Sequence, residues 1–154
     1  MKIEIRRARS EDADILTELA MRAKASWGYD QAFMAACRAE LTMTPERLSA
    51  WTVWVAEAEG KIAGMIALSR NGDAEVEGFF VEPSLQGKGL GGALMTTLLE
   101  DCRAKSATTL MVDADPNAET IYARLGFATV GRSPSGSIPG RFLPRMMLVL
   151  AAQS

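Results

Sequence analysis

Between Val76 and Met95 the chain reads VEGFFVEPSLQGKGLGGALM: an apolar run, a turn carrying Gly87, Gly89, Gly91 and Gly92, and an apolar periodic stretch. A loop that wraps an anionic group with its own main-chain N–H donors needs positive φ and no Cβ in the way, and glycine meets both needs. Because this loop runs into a predicted helix, the helix start adds unpaired N–H groups and a partial positive charge, a combination suited to phosphate or pyrophosphate. Lys88 adds a full charge. A purely structural turn would use one or two glycines, since each one inside a helix costs about 0.5–1 kcal/mol. Just upstream, Glu75 and Glu77 are two apart on one predicted strand, so their carboxylates share a face and could take a proton or attract a cation. A solvated acidic strand face is the plainer reading of that pair.

The residue inventory removes several chemistries. There is no histidine, and Cys37 and Cys102 are isolated, which excludes Cys/His zinc sites, Cys–His nucleophile pairs and the Ser-His-Asp arrangement. No metal is expected, and both thiols are expected to be reduced and packed. A net charge of −2 gives no basis for a nucleic-acid partner. No run approaches the roughly 18–20 apolar residues of a membrane span, and the start MKIEIRRARS lacks the apolar core of a signal peptide. The expectation is a cytoplasmic protein whose 154 residues form one domain, 1–154, with no membrane partner.

The elements that must position the loop follow from periodicity. Residues 2–8 alternate as an edge-type strand, Ser10 is the expected N-cap of a first helix, and Ile15, Leu16, Leu19, Ala20 and Ala23 recur at helical spacing. That helix breaks near Trp27-Gly28-Tyr29, aromatics that either anchor a core or line a pocket. Asp30 caps a second helix, and Pro45 marks a further interruption. Residues 51–58 and 61–70 are predicted strands joined by Glu59-Gly60, and Asn71-Gly72 leads into a third, 73–81, so the three are antiparallel. A helix over 90–105 and a strand over 108–112 follow, the latter parallel to its predecessor. A short helix over 118–125, a strand from Phe127, a turn-rich loop over 133–141 and a last strand over 143–150 complete an α/β protein of the α+β type. Its sheet is mixed, mostly antiparallel, with six or seven strands and helices on both faces.

Gly87-x-Gly89-x-x-Gly92 formally satisfies a dinucleotide fingerprint, but Glu82 to Gln86 separate strand from glycine, the preceding strands are hairpin-linked, and too little chain remains for a second βαβ half. A Walker loop fails because Gly89, not Ser or Thr, follows Lys88. A pantetheine-type cofactor is the third reading. Val81-Glu82-Pro83-x-x-Gln86-Gly87-Lys88-Gly89-Leu90-Gly91 resembles the acetyl-CoA signature of the GNAT superfamily of N-acetyltransferases, and Asp115-Pro-Asn117-Ala118-x-x-Ile121-Tyr122-x-x-x-Gly126-Phe127 is similar to that family's later motif. The order of elements also fits.

The resemblance implies an acetyl-CoA-dependent transfer to a primary amine, a small molecule or amino-acid derivative, by direct attack in a ternary complex. It implies a fourth strand splayed from the fifth, with a bulge near Gly78, and main chain of Phe79, Phe80 and Val81 pairing with pantetheine. Residues Gln86, Gly87, Lys88, Gly89, Leu90, Gly91 and Gly92 would cradle the pyrophosphate, and the Val81 amide would polarise the acetyl carbonyl. Tyr122 is the implied acid, in contact with the cofactor. A phenol near 10 against a thiol near 8.5 makes full transfer uphill by roughly 2 kcal/mol, which favours a hydrogen bond to sulfur. Glu77 and Glu75 are the candidate bases, mismatched to an ammonium by about 6 units, so a water relay is expected. Where the family usually has asparagine, this chain has Asp115, which cannot donate a hydrogen bond when ionised; Asn117 is the candidate replacement. Trp27, Tyr29 and Glu77 are expected at the acceptor, with Arg132, Arg141 and Arg145 available to a carboxylate. The resemblance also admits a homodimer, and a non-catalytic acyl-CoA sensor is the alternative function.

Overall fold

The computed structural model describes residues 1–70 and 72–150. In chain order it contains β1 (Ile3–Arg7), α1 (Ala13–Ala25), α2 (Gln31–Leu41), α3 (Pro45–Ala50), β2 (Thr52–Ala58), β3 (Lys61–Ser69), β4 (Ala74–Val81), α4 (Leu90–Ala104), β5 (Thr109–Asp113), α5 (Glu119–Arg124), β6 (Ala128–Pro134) and β7 (Phe142–Val149). The seven strands form one sheet in the order β1-β2-β3-β4-β5-β7-β6. Every pair is antiparallel except β4–β5, because the α4 crossover returns the chain in the same direction.

Strand alternation sends two sets of side chains to two cores. Trp54, Ile66, Leu68 and Val76 pack with Leu90, Leu94, Leu98 and Cys102 of α4 on one face. On the other, Val53, Val55, Met65 and Ala67 pack with Leu16 and Leu19 of α1 and with Met43. Leu94 and Leu98 are fully buried, each such side chain contributing about 1.5–3 kcal/mol. Gly64 lets α4 sit this close, since a Cβ there would lie 3.0 Å from Leu94 Cδ1.

Three local expectations are revised. Ser10 does not cap α1; it opens a single 3-10 turn in which Asp12 accepts from the Arg9 amide at 2.7 Å and pairs with Arg6 at 2.9 Å. The buried carboxylate with an arginine to neutralise it outcompetes a solvated serine cap. Pro45 starts α3 rather than merely interrupting the chain: Thr44 caps the Arg47 amide and proline occupies the first turn, where its missing N–H costs nothing. Strand β6 runs on to Pro134, further than its apolar residues suggested, because its pairing with β7 continues to Phe142. The expected Asn71-Gly72 turn rests on Asn71, which lies outside the described residues.

The opening in the sheet has a readable cause. Ala67 pairs with Gly78 but Leu68 pairs with Val76, so Glu77 is an extra residue and β4 bulges there. The parallel ladder to β5 ends at Val76–Val112. Beyond it β5 follows β7, through Asp113–Arg145 and the Ala114 amide on the Pro144 carbonyl, while β4 stays with β3. The two central strands therefore diverge.

Candidate active site

A cleft of about 730 Å³ fills the divergence. It passes through the sheet: α4 and α5 bound it on one face, and α1, α2 and α3 bound it on the other. Along its β4 wall the Glu82 amide bonds back to Ala63 on β3 at 2.7 Å. Since N–H and C=O groups alternate between the two edges of a strand, Phe80 also turns its main chain to β3, and Phe79 and Val81 present theirs to the cleft. Their side chains follow the same alternation, Phe79 and Val81 packing with the α4 core and Phe80 with the α1 core.

At the α4 end, Gly87 and Gly89 have φ of +79° and +91°, conformations that a side chain strains. Gly89 is the left-handed N-cap of α4, and no acidic residue occupies the first turn. Among the described residues none of the main-chain N–H groups from Gln86 to Gly92 has a hydrogen-bond partner; the first satisfied one is Ala93, on the Gly89 carbonyl at 3.1 Å. That row of donors, with the positive helix end and Lys88 free of ion pairs among the described residues, fits a diphosphate. Gln86, Gly87, Gly89, Leu90, Gly91 and Gly92 line the cleft.

Tyr122 reaches the same cleft from α5. It is 6% exposed and is held edge-on by Phe79 and Phe127, with ring centroids 6.2 and 5.2 Å away. Its hydroxyl makes no hydrogen bond among the described residues, yet no side-chain oxygen sealed from solvent there lacks a partner, so the hydroxyl opens onto the cleft that Tyr122 lines. Burial pushes its pKa up, which keeps the phenol protonated and ready to donate.

On the α1 face the structure brings Glu75, Glu77, Trp27 and Phe80 to the cleft. Both glutamates remain on one face despite the bulge: Glu77 accepts from Ser69 at 2.6 Å, and Glu75 pairs with Arg145 at 3.0 Å, which also reaches Asp113 at 3.2 Å. Arg145 is thereby committed. Arg22 grips Glu82 through two bonds of 3.1 and 2.7 Å, fixing α1 over the end of β4. Lys24, Glu40, Arg47 and Trp51 also line the cleft; sequence reasoning missed them because none of them falls within a motif.

Tyr29 and Asn117 meet each other beside the cleft around Asp115. The Tyr29 hydroxyl donates to Asp115 at 2.9 Å and accepts from Asn117 Nδ2 at 2.9 Å and Arg141 at 2.6 Å; its ring stacks on Phe33 at 4.0 Å. Lys24 pairs with Asp115 at 3.1 Å, and the Asn117 amide donates to it at 2.9 Å. Burial raises the Tyr29 pKa to about 12, with the Asp115 carboxylate adding to it. Burial opposes ionisation of Asp115, but the Asn117 amide, Lys24 and Tyr29 together hold its pKa below the ordinary value. A group with a depressed folded pKa contributes stability above its unfolded pKa, near 3.9, and that contribution is lost as pH falls through the lower folded value. Asp115→Asn is therefore expected to lower stability by about 2 kcal/mol at pH 7, the scale of charged hydrogen bonds. Urea melts across pH should show the deficit shrinking below about pH 3. A deficit independent of pH would assign the loss to packing instead.

No helix among the described residues is long and apolar enough to cross a membrane, and no group of three or more metal-ligating side chains is present among them. Comparison with known proteins agrees with this fold. A family model described as "Acetyltransferase (GNAT) domain" matches residues 16–137. Serotonin N-acetyltransferase 2, chloroplastic, of Oryza sativa subsp. japonica is 39% identical over 82 residues, which is 49% of this chain and 41% of that protein. The chain thus matches less than half the length of that relative. Among solved structures, a GCN5-related N-acetyltransferase from Rhodopseudomonas palustris superposes with a TM-score of 0.82 at 23% identity, covering 97% of each chain. The PaiA N-acetyltransferase of Thermoplasma acidophilum, in complex with coenzyme A, gives 0.80 at 18% identity, covering 97% of this chain and 99% of that one. With the family model spanning most of the sequence and the splayed β4–β5 cleft beneath it, the chain belongs to the GNAT acetyltransferase family.

Proposed function

We propose that the protein is an N-acetyltransferase that uses acetyl-CoA and acts on a small primary amine in a ternary complex. The observation that carries this reading is the meeting, across one cleft, of the unpaired main chain of Phe79 and Val81 with the unpartnered hydroxyl of the buried Tyr122, which opens onto that cleft. Acetyl-CoA held there supplies a thioester carbonyl; an amine nitrogen bonds to its carbon, the carbon–sulfur bond breaks, and the proton lost from nitrogen balances the thiol formed.

The chain's own groups divide the work. Main-chain donors from Gln86 to Gly92 and Lys88 hold the diphosphate, and Phe79 and Val81 extend the sheet to the pantetheine arm. The Val81 amide, fixed before reaction, stabilises charge on the acetyl oxygen. Tyr122 donates a hydrogen bond to the departing sulfur; its raised pKa makes full proton loss still less favourable than for a free phenol. Glu77 orients the incoming ammonium, and water carries its proton away. Asn117 and Tyr29 act through the Asp115 cluster, holding the α1–α2 break against α5. Both cysteines are fully buried, and no histidine is present to activate them, which supports direct transfer over an acetyl-enzyme.

The test is calorimetry with acetyl-CoA together with thiol release across a panel of amines. Expected are a heat of association and release with at least one primary amine. Binding without release from any of them would favour the acyl-CoA sensor, and no heat of association would remove both readings.

A further inference from the structure

We infer that the acceptor is a small aliphatic diamine, two ammonium groups joined by an apolar spacer; this rests on the acetyl-transfer reading above. On the α1–α3 side of the cleft the charged lining residues fall into two classes. The cations are already engaged. Lys24 is paired with Asp115 at 3.1 Å. Arg47 donates to the carbonyls of Ala39, Glu40 and Thr42 at 3.2, 2.9 and 2.6 Å and lies over the Trp51 ring at 5.3 Å. Arg141 and Arg145, which stand beside the cleft rather than in its lining, are committed to Tyr29 and Asp115 and to Glu75 and Asp113. An acceptor carboxylate therefore finds no unengaged guanidinium or ammonium among the described residues of this wall, which revises the expectation for Arg141 and Arg145; Arg132 does not line the cleft, and Arg124, which does, stands on α5 across the sheet.

Two carboxylates are the opposite case, whereas Glu75 is paired with Arg145. Glu40 and Glu77 both line the cleft and neither forms an ion pair among the described residues. The Glu77 side chain has only the Ser69 hydroxyl, and the Glu40 side chain accepts no hydrogen bond among the described residues. They stand on different elements, Glu77 at the β4 bulge and Glu40 in the last turn of α2. Glu77, four residues before Val81 on the strand whose amide is proposed to hold the acetyl oxygen, suits the nitrogen that reacts. Glu40 suits a second cation further out. Trp27, Trp51 and Phe80 also line the cleft, and their faces favour methylenes and cations alike. The pair is not an isolated acidic patch: it opens into the cavity that the Tyr122 side chain lines, a residue more than nine-tenths buried whose hydroxyl faces the cleft with no partner among the described residues.

The experiment titrates diaminopentane, pentylamine, aminopentanoate and a lysine-rich peptide into the full chain saturated with coenzyme A, and measures thiol release from acetyl-CoA with each. Diaminopentane is expected to bind at least about tenfold more tightly than pentylamine, the scale of one added charge-assisted hydrogen bond, with aminopentanoate weakest. Glu40→Gln, at an exposed position that does not threaten the fold, is expected to erase most of the ratio between diaminopentane and pentylamine. Equal binding of these two, tighter binding of aminopentanoate or the peptide, or an unchanged ratio in Glu40→Gln would each overturn the diamine assignment. Preferential diamine binding without thiol release would leave the acceptor class standing and remove acetyl transfer; release equally fast with pentylamine would do the reverse.

Discussion

Gly89→Val is expected to raise the dissociation constant for acetyl-CoA at least about 100-fold while leaving a folded protein. Gly89 is at φ +91°, a region in which a non-glycine residue costs on the order of 1–3 kcal/mol, more for a β-branched one. The loop has two ways to respond. If it keeps its shape, the strain remains and valine stands among the N–H donors. If it relaxes to negative φ, the amides of Lys88, Gly89 and Leu90 no longer converge, and each charge-assisted hydrogen bond lost is worth about 1.5–3 kcal/mol. A 100-fold loss corresponds to roughly 2.7 kcal/mol, within reach of either route. The fold survives because the space is open: apart from its chain neighbours, no atom lies within 4 Å of where a Gly89 Cβ would be. Calorimetric titration beside a urea melt separates the two quantities. Binding within threefold of the parent would show that this loop does not hold the cofactor.

What was legible beforehand divides by sequence distance. The glycine loop could be read directly because its requirements, positive φ and a helix start, belong to adjacent residues. The hairpin Glu59-Gly60 and the α4 crossover are likewise local, and they fixed β2 to β5. Gly78 pointed to a bulge, though pairing shows that Glu77 is the inserted residue. The acceptor side was opaque for the opposite reason. That Arg145 belongs to Glu75 across 70 residues, and Tyr29 to Asp115 across 86, is decided by which strands and loops meet. No local pattern announces it. Asp115 shows the limit most clearly: as a departure from the usual asparagine it looked like a weakness in cofactor binding, whereas the structure surrounds it with Lys24, Tyr29, Asn117 and Arg141. Its charge has become a structural tie between α1, α5 and the loop before β7.

Tyr122→Phe is expected to lower turnover by about 100-fold, the usual scale for a group that assists a leaving atom by proton donation, while acetyl-CoA affinity changes by less than about threefold. The prediction for stability has the opposite sign from that of an ordinary buried tyrosine. A core tyrosine hydroxyl normally has a partner, and removing it forfeits a hydrogen bond worth about 1 kcal/mol. Here the hydroxyl has none among the described residues, and the ring alone makes the edge contacts with Phe79 and Phe127. Phenylalanine keeps those contacts and gives up only a hydroxyl that opens onto the cleft and bonds to nothing in the fold among the described residues, so the melting temperature should hold or rise. A hydroxyl that no contact within the fold requires, opening onto the cleft, points to use in the reacting complex. Since burial already holds the phenol protonated, the alkaline limb of the rate profile is expected to belong to another group and to persist in the variant at its reduced rate. Turnover equal to that of the parent would remove Tyr122 from the chemistry, and a lower melting temperature would reassign it to the core.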